Sequence, residues 1–208
     1  MEWIYHVSNK GGSMTQAEID NNAYMIRDQL LSYGWTIEAI CGMLGNARAE
    51  SYLNPAQTQI GYKIGGSAGG FGLVMWTPQT NYTDWARSQN HDVNSGYWQT
   101  WCISTEANTG GAGSQYISTA AYSMTYDEFK HSTDDYLYLV EVFLRNYERA
   151  GIEALSARKQ YATYFWNLFG GQPTPPTPPT PPDPPDPDPS PYRRAGRMPV
   201  WMKIRYNI

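Results

Sequence analysis

A run of prolines separates a long N-terminal part of this chain of 208 residues from a short C-terminal part. Residues 173–191 read PTPPTPPTPPDPPDPDPSP, and proline at that density cannot donate the backbone hydrogen bonds of a helix or a sheet. The run predicts an extended polyproline II spacer that reaches on the order of 60 Å at about 3.1 Å per residue. We therefore expect a folded body over residues 1–171, a linker over 172–191 and a C-terminal segment over 192–208. That last segment is too short to hold a core of its own.

The body has the apolar spacing of amphipathic helices, which predicts a mainly α fold. A capping box, TQAE, opens the first helix at Thr15, and Gly34 ends it. Thr36 caps the second helix. The predicted buried stripes are Ile19, Ala23, Ile26 and Leu30; Ile37, Ile40, Leu44 and Ala47; Leu137, Val140, Leu144 and Tyr147, in a helix ending near Gly151; and Tyr161, Phe165 and Leu168, in a helix from about Ser156. Glycine-rich segments at 61–72 and 108–113 predict loops or a small β element between the helices.

Composition excludes several classes of function. The formal net charge of −4 and a pI of about 5.3 argue against a nucleic-acid target, which calls for a basic surface. Three histidines without a metal-ligand spacing make a zinc site unexpected, and the sequence points to no metal or other cofactor. Two cysteines are too few for a disulfide scaffold, and a buried thiol is expected for Cys41. We find neither a secretory signal at the start nor an apolar stretch long enough to span a membrane.

One glutamate, Glu50, lies at an unusual position, the C-terminal end of the second predicted helix. Glu50 borders the apolar stripe and is followed directly by Ser51 and by Asn54-Pro55, which stops the helix. Small residues on another face of this helix indicate a second, closely packed neighbour: Gly42, Gly45 and Ala49. Partial burial and the negative end of the helix dipole both disfavour a charged carboxylate there. A carboxyl group that keeps its proton can give it to a glycosidic leaving group, although a structural helix-end glutamate remains the alternative.

The segments around Glu50 also carry a resemblance to a known family. GWTIEAICGMLGNARAESYLNP (34–55), GGFGLVMWTP (69–78), FLRNYERAG (143–151) and RKQYATYFW (158–166) together resemble the phage tail lysozyme family. The resemblance covers roughly residues 14–170. It implies a lysozyme-like helical domain related to goose-type lysozymes and lytic transglycosylases. It also implies cleavage of the β-1,4 bond between N-acetylmuramic acid and N-acetylglucosamine in bacterial peptidoglycan.

Under this resemblance Glu50 is the catalytic general acid. The expected substrate-binding residues are Gly72, Trp76, Thr77 and Tyr147. Gly72 would let the backbone approach the ligand, and Trp76 would offer a face for sugar stacking. Core packing is the alternative for Trp76, and a buried structural role is the alternative for Tyr147.

The sequence departs from the superfamily pattern at two positions. Met75 stands where a glutamine is common, and Thr77 stands where goose-type enzymes carry an aspartate. Other acids are available, but no spacing singles one out as a second carboxylate: Asp84, Glu106, Asp127 and Asp134. The neighbouring Glu148–Arg149 is interpreted as a surface pair or a structural clamp. We expect Glu50 to be the single essential acid, with attack by water and attack by the sugar's own 6-hydroxyl both open.

The residue pattern of the C-terminal segment indicates where the protein acts. Residues 192–208 carry five basic residues and no acid, and apolar residues alternate from Val200 onward, which is typical of a half-buried strand. The basic tail could fold back on the acidic body or add a strand to another virion protein. We expect the second, so that the tail anchors the enzyme to other phage tail proteins and the protein acts from the virion tail on the host cell wall. Two alternatives stay open: a non-catalytic tail protein, serving as a plug or a wall-binding module with a decayed lysozyme fold, and a free endolysin or lytic transglycosylase.

Overall fold

The computed structural model describes residues 1–11, 13–109, 114–151 and 153–171. The predictions for the linker (172–191) and the tail (192–208) lie outside the described residues. Over the described part the chain is mainly helical, as predicted. The α-helices are α1 (Gln16–Ser32), α2 (Ile37–Ser51), α3 (Thr80–Ser88), α4 (Gly96–Thr105), α5 (Tyr126–His131), α6 (Tyr136–Phe143) and α7 (Leu155–Leu168). A 3₁₀ turn, Ala107–Thr109, follows α4, and a π-helical turn, Leu144–Glu148, follows α6.

Helix α2 is the centre of the fold because it is buried on nearly every face. A Cβ atom at Gly42 would lie 2.9 Å from the Leu139 Cβ of α6. A Cβ atom at Gly45 would lie only 2.5 Å from the backbone carbonyl of Arg158 in α7. The missing side chains therefore let two helices approach the α2 backbone directly. This confirms the prediction of a close neighbour on the small-residue face of α2.

Helix α1 forms as its sequence predicts. Thr15 accepts from the backbone N–H of Glu18, whose side chain in turn accepts from the N–H of Thr15, so the capping box is complete. The four residues of the predicted stripe are buried: Ile19, Ala23, Ile26 and Leu30. Gly34, with φ at +91°, takes the left-handed conformation that ends the helix.

The third predicted helix is different in the structure. The spacing from Leu137 to Tyr147 predicts one regular helix that ends near Gly151, whereas α6 stops at Phe143 and continues as the π-helical turn Leu144–Glu148. Arg149 then adopts a left-handed conformation with φ at +47°, and its N–H bonds to the Leu144 carbonyl at 2.8 Å. The helix therefore ends before Gly151 and leaves Glu148 as its last residue.

The glycine-rich segment at 61–72 leads into a short turn that is held by isolated bridges. Phe71 pairs with both Thr58 and Trp76, and Ser8 pairs with Gln57. Within the described ranges, the predicted small β element consists of these isolated pairings. No helix in the described part of the chain is long and apolar enough to cross a membrane.

Candidate active site

The end of α2 presents Glu50 at the surface of a cleft. The helix closes at Ser51, and both Tyr52 and Leu53 have positive φ, at +57° and +55°. The Ser51 hydroxyl donates to the Leu73 carbonyl at 2.8 Å and so ties the helix end to the glycine-rich turn. This confirms the predicted abrupt end of the helix, which leaves Glu50 in its last turn.

The glycine-rich turn forms the opposite wall and is fixed by a buried glutamine that the sequence did not single out. Gln99 of α4 accepts from the Leu73 N–H at 2.8 Å and donates to the Pro55 carbonyl at 2.6 Å. Phe71 and Trp76 exchange two backbone hydrogen bonds, of 3.2 and 3.0 Å. The turn is therefore attached to both α2 and α4 through the backbone of Leu73.

The cleft between these walls has a volume of about 990 Å³. That volume lies at the upper end of the range of about 300–1,000 Å³ typical of small-molecule sites. Its lining combines polar and apolar residues. Besides Glu50, the lining includes Tyr52, Gln57, Gln59, Ile60, Met75, Trp76, Thr77, Asn81, Gln115, Glu148, Arg149 and Arg158. The amide side chains in this set can exchange hydrogen bonds with hydroxyl and acetamido groups of a sugar.

Glu50 makes an ion pair with a buried arginine. Its Oε1 lies 2.6 Å from the Arg158 guanidinium, and the Glu50 side chain is 21% exposed, whereas that of Arg158 is only 4% exposed. The rest of the guanidinium donates to the backbone and side-chain oxygens of Asn46, at 3.3 and 3.2 Å, and to the Glu153 carbonyl at 2.8 Å. A planar group that is held at three sides has little freedom to turn, so it fixes the position of the Glu50 carboxylate.

A second carboxyl group, that of Glu148, lines the same cleft. Its Oε1 is buried and has no hydrogen-bond partner among the described residues. Burial raises the pKa of Glu148 well above its ordinary value, the nearby charge of Glu50 adds to that rise, and Arg158 and Arg149 oppose it. The interpretation of Glu148–Arg149 as a surface pair is therefore wrong, because the π-helical turn ends with Glu148 directed to the cleft.

The four acids considered from the sequence do not line the cleft. Asp84 and Asp127 lie on exposed helix faces beside basic residues, and Asp134 is exposed between α5 and α6. Glu106 caps the end of α4 and accepts from the Tyr116 N–H at 2.7 Å. The second carboxyl group of the site is instead Glu148.

Two of the predicted substrate-binding residues are packed in the core. Trp76 borders the cleft but is only 2% exposed, and its ring stacks on Tyr82 at 4.7 Å. Tyr147 is not among the lining residues and stacks on Phe143 at 4.5 Å. Its hydroxyl lies beside the Trp76 indole N–H, but the two do not reach hydrogen-bond geometry, and neither has another partner in the ranges described. In this structure both rings have the packing role that the sequence left as their alternative.

Gly72 and Thr77 are the other two predicted substrate-binding residues, and only Thr77 lines the cleft. A Cβ atom at Gly72, where φ is +81°, would lie 2.5 Å from the Gln99 side chain. The close approach that requires glycine is thus to Gln99, and Gly72 does not line the cleft. Thr77 does line it, and its hydroxyl donates to the Met75 carbonyl at 2.8 Å.

Glu148 and Arg158 were not predicted as site residues, although the sequence holds a signal for each. Glu148 follows Leu144 by four residues, and Arg158 precedes Tyr161 by three, so both charged residues share a helix face with a predicted buried residue. A charged side chain on a buried helix face is usually paired with an opposite charge or has a functional role. Within the described residues there is no cluster of three or more His, Cys, Asp or Glu side chains that could hold a metal ion.

Comparison with known proteins identifies the family. The family model for phage tail lysozymes matches residues 21–169, which is most of the chain. The chain belongs to the phage tail lysozyme family. It is also 35% identical over 164 residues to a protein named morphogenesis protein 1 of Bacillus phage B103. That match covers 79% of this chain but 43% of the relative, so the chain spans less than half of the relative's length.

Met75 is one further residue that lines the cleft, and its φ is +48°. Its thioether cannot donate a hydrogen bond. The side chain of Met75 therefore adds no hydrogen-bond donor to the lining of the cleft.

Proposed function

We propose that this lysozyme-like protein cleaves peptidoglycan at the β-1,4 bond between N-acetylmuramic acid and N-acetylglucosamine, with Glu50 as the proton donor. The observation that carries the proposal is the position of Glu50. It lies in the wall of a cleft of about 990 Å³ and is partly exposed, and the buried Arg158 holds it in place. A carboxyl group in such a position can reach the oxygen of a bound glycosidic linkage.

The rest of the cleft supports a carbohydrate ligand. Amide side chains line it (Gln57, Gln59, Asn81 and Gln115), and apolar residues stand beside them. Ile60 is 68% exposed at the cleft, and Tyr52 also borders it. Sugars offer both hydroxyl groups and apolar C–H faces, so a mixed lining of this kind fits them.

The test of this function is Glu50→Gln. The change keeps the size of the side chain and one hydrogen-bond acceptor for Arg158 but removes the transferable proton. Clearing of purified peptidoglycan should fall by about 10²–10⁴-fold, which is the usual contribution of general acid catalysis. Asp134→Asn is the matched control, because it removes an exposed carboxylate outside the cleft. A Glu50→Gln protein that clears peptidoglycan at the wild-type rate refutes the role of Glu50.

Analysis of the products separates the two chemical outcomes. Hydrolysis yields a reducing N-acetylmuramic acid end, whereas attack by the 6-hydroxyl of the same sugar yields an anhydro product that is lighter by one water. Mass spectrometry of the released fragments distinguishes them. Both reactions use the same proton donor, so this result does not alter the assignment of Glu50.

A non-catalytic tail protein is the second candidate. Two observations favour it. Met75 lines the cleft at the position where the resemblance leads us to expect a glutamine. The relative is named a morphogenesis protein. Under this alternative the purified protein binds peptidoglycan but releases no soluble fragments. In either case we propose that the basic segment 192–208 attaches the protein to other tail proteins, and this proposal is supported by its sequence pattern alone.

A further inference from the structure

Among the described residues two carboxyl groups line the cleft, and only one of them has a close counter-charge. Arg158 is fully engaged by Glu50, Asn46 and the Glu153 carbonyl. Arg149 directs its guanidinium to the carbonyls of Gln115 and Asn146, the latter at 2.7 Å. Neither arginine forms an ion pair with Glu148 within the part of the chain described, and the buried Oε1 of Glu148 has no partner there.

An uncompensated carboxylate at this position would be costly, so the group is expected to keep a proton. The titratable and charged groups that face Glu148 are Glu50 from α2, Arg158 from α7, the adjoining Arg149, and the hydroxyls of Tyr126 and Tyr147. Burial raises the pKa of Glu148 and the charge of Glu50 raises it further, against the opposing effect of the two arginines. Two carboxyl groups in one site cannot both ionise without repulsion between the two negative charges.

We propose that Glu148 is the second functional carboxyl group of the cleft and that it holds, together with Glu50, the single proton that the reaction uses. This inference rests on the proposed function. Because Glu50 is paired with Arg158, the proton resides on Glu148 in the free protein. Glu148 is thus a proton-holding residue that loads Glu50, rather than a second acid that acts on the sugar.

The reaction sequence balances with no further component. Glu148 first passes its proton to Glu50. The bond between C1 and the bridging oxygen breaks, its electron pair goes to that oxygen, and the oxygen takes the proton from Glu50. The oxygen of the attacking water or 6-hydroxyl forms the new bond to C1 and gives its proton to the carboxyl pair, which restores the pair to its starting state.

The first experiment needs no enzymatic activity. The side-chain carboxyl carbons of ¹³C-glutamate in the full-length wild-type protein are followed by NMR as pH is raised, and Glu50→Gln and Glu148→Gln assign the signals. We expect one glutamate to titrate well above the ordinary value of about 4.3. That step should be absent in Glu148→Gln, and it should move to lower pH in Glu50→Gln, because the repulsion from Glu50 is gone. An ordinary titration of Glu148 in the wild-type protein, or no change of its titration in Glu50→Gln, overturns the proposal.

The second experiment measures peptidoglycan clearing against pH for Glu148→Gln, with Asp134→Asn as the matched control. Without Glu148 the site loses the carboxyl group whose pKa burial raises, so the alkaline limb should move to lower pH. Near pH 4.5 the activity should stay within about threefold of the wild type. Near pH 7.5 it should fall by about tenfold or more, because the protonated fraction of a carboxyl group drops about tenfold whenever the pH rises by one above its pKa. Asp134→Asn should follow the wild-type curve. A loss that is equal at every pH, or no loss, refutes the proton-holding role.

The two experiments also separate this proposal from the proposed function. If the wild-type protein clears no peptidoglycan at any pH, the proposed function fails, while the NMR titration still decides whether Glu148 and Glu50 share a proton. If the wild-type protein is active and Glu148 titrates as an ordinary glutamate, only the shared proton is refuted. If Glu148→Gln does not fold, the comparison of the wild type with Glu50→Gln remains decisive, because the raised signal must persist in Glu50→Gln and move to lower pH.

Discussion

Substitution of Gly45 by alanine tests the contact that brings Arg158 to Glu50. The new Cβ atom would lie 2.5 Å from the Arg158 carbonyl and 2.9 Å from the Ala162 Cβ, whereas ordinary contact begins near 3.4 Å. The closest atom belongs to the backbone and cannot rotate away, so α2 and α7 must separate locally by about 1 Å. Overpacking of this kind costs about 1–3 kcal/mol.

A second effect of the same substitution has the opposite sign. Alanine in a helix interior is more stable than glycine by about 1 kcal/mol. With a contact this short, the overpacking cost should be at the upper end of its range, so we expect a net loss of about 1–2 kcal/mol. For a folded body of this size that corresponds to a midpoint of thermal unfolding lower by about 2–8 °C.

The assay is thermal unfolding followed by circular dichroism, with Gly151→Ala as the matched control. Gly151 has no described atom within 4 Å of its Cβ position, and its φ is not in the left-handed region. The control should therefore leave the midpoint unchanged or raise it, because glycine-to-alanine changes at compatible sites stabilise by about 0.4–1 kcal/mol. If Gly45→Ala raises the midpoint, the helices are not in close contact and the reasoning fails.

Three further predictions concern the cleft and the tail. Met75→Gln should leave peptidoglycan clearing unchanged or increase it, if the thioether only fills space; a large loss in a stably folded variant contradicts this. Arg158→Lys keeps the charge but loses the planar fork that reaches Asn46 and Glu50 together, so the thermal midpoint should fall by several degrees and clearing should weaken at every pH; a variant as stable and as active as the wild type contradicts the clamp. A chain truncated after Gly171 should keep full lytic activity and fail to enter phage particles, and its normal incorporation would rule out the anchor.

Local sequence determined the helices that carry the site. Capping boxes and helix stops act between residues a few positions apart, so Thr15, Gly34 and Thr36 were enough to bound α1 and the start of α2. The small residues of α2 predicted a close neighbour, because a residue with little or no side chain lets another element approach the helix backbone, whichever element that is. The prediction that Glu50 stands at the last turn of a helix followed from the same short-range rules, and the structure confirms it.

Only the tertiary structure decided which groups surround Glu50. Arg158 lies 108 residues further along the chain, and it reaches Glu50 because α7 packs on Gly45 of α2. Glu148 comes to the same cleft at the end of a π-helical turn, which the regular spacing of α6 did not indicate. Trp76 is likewise buried by Tyr82, and no pattern in its own segment specifies that neighbour. Short-range rules act along the chain, whereas charge pairing and burial depend on distances in space, which are set when helices remote in sequence pack together.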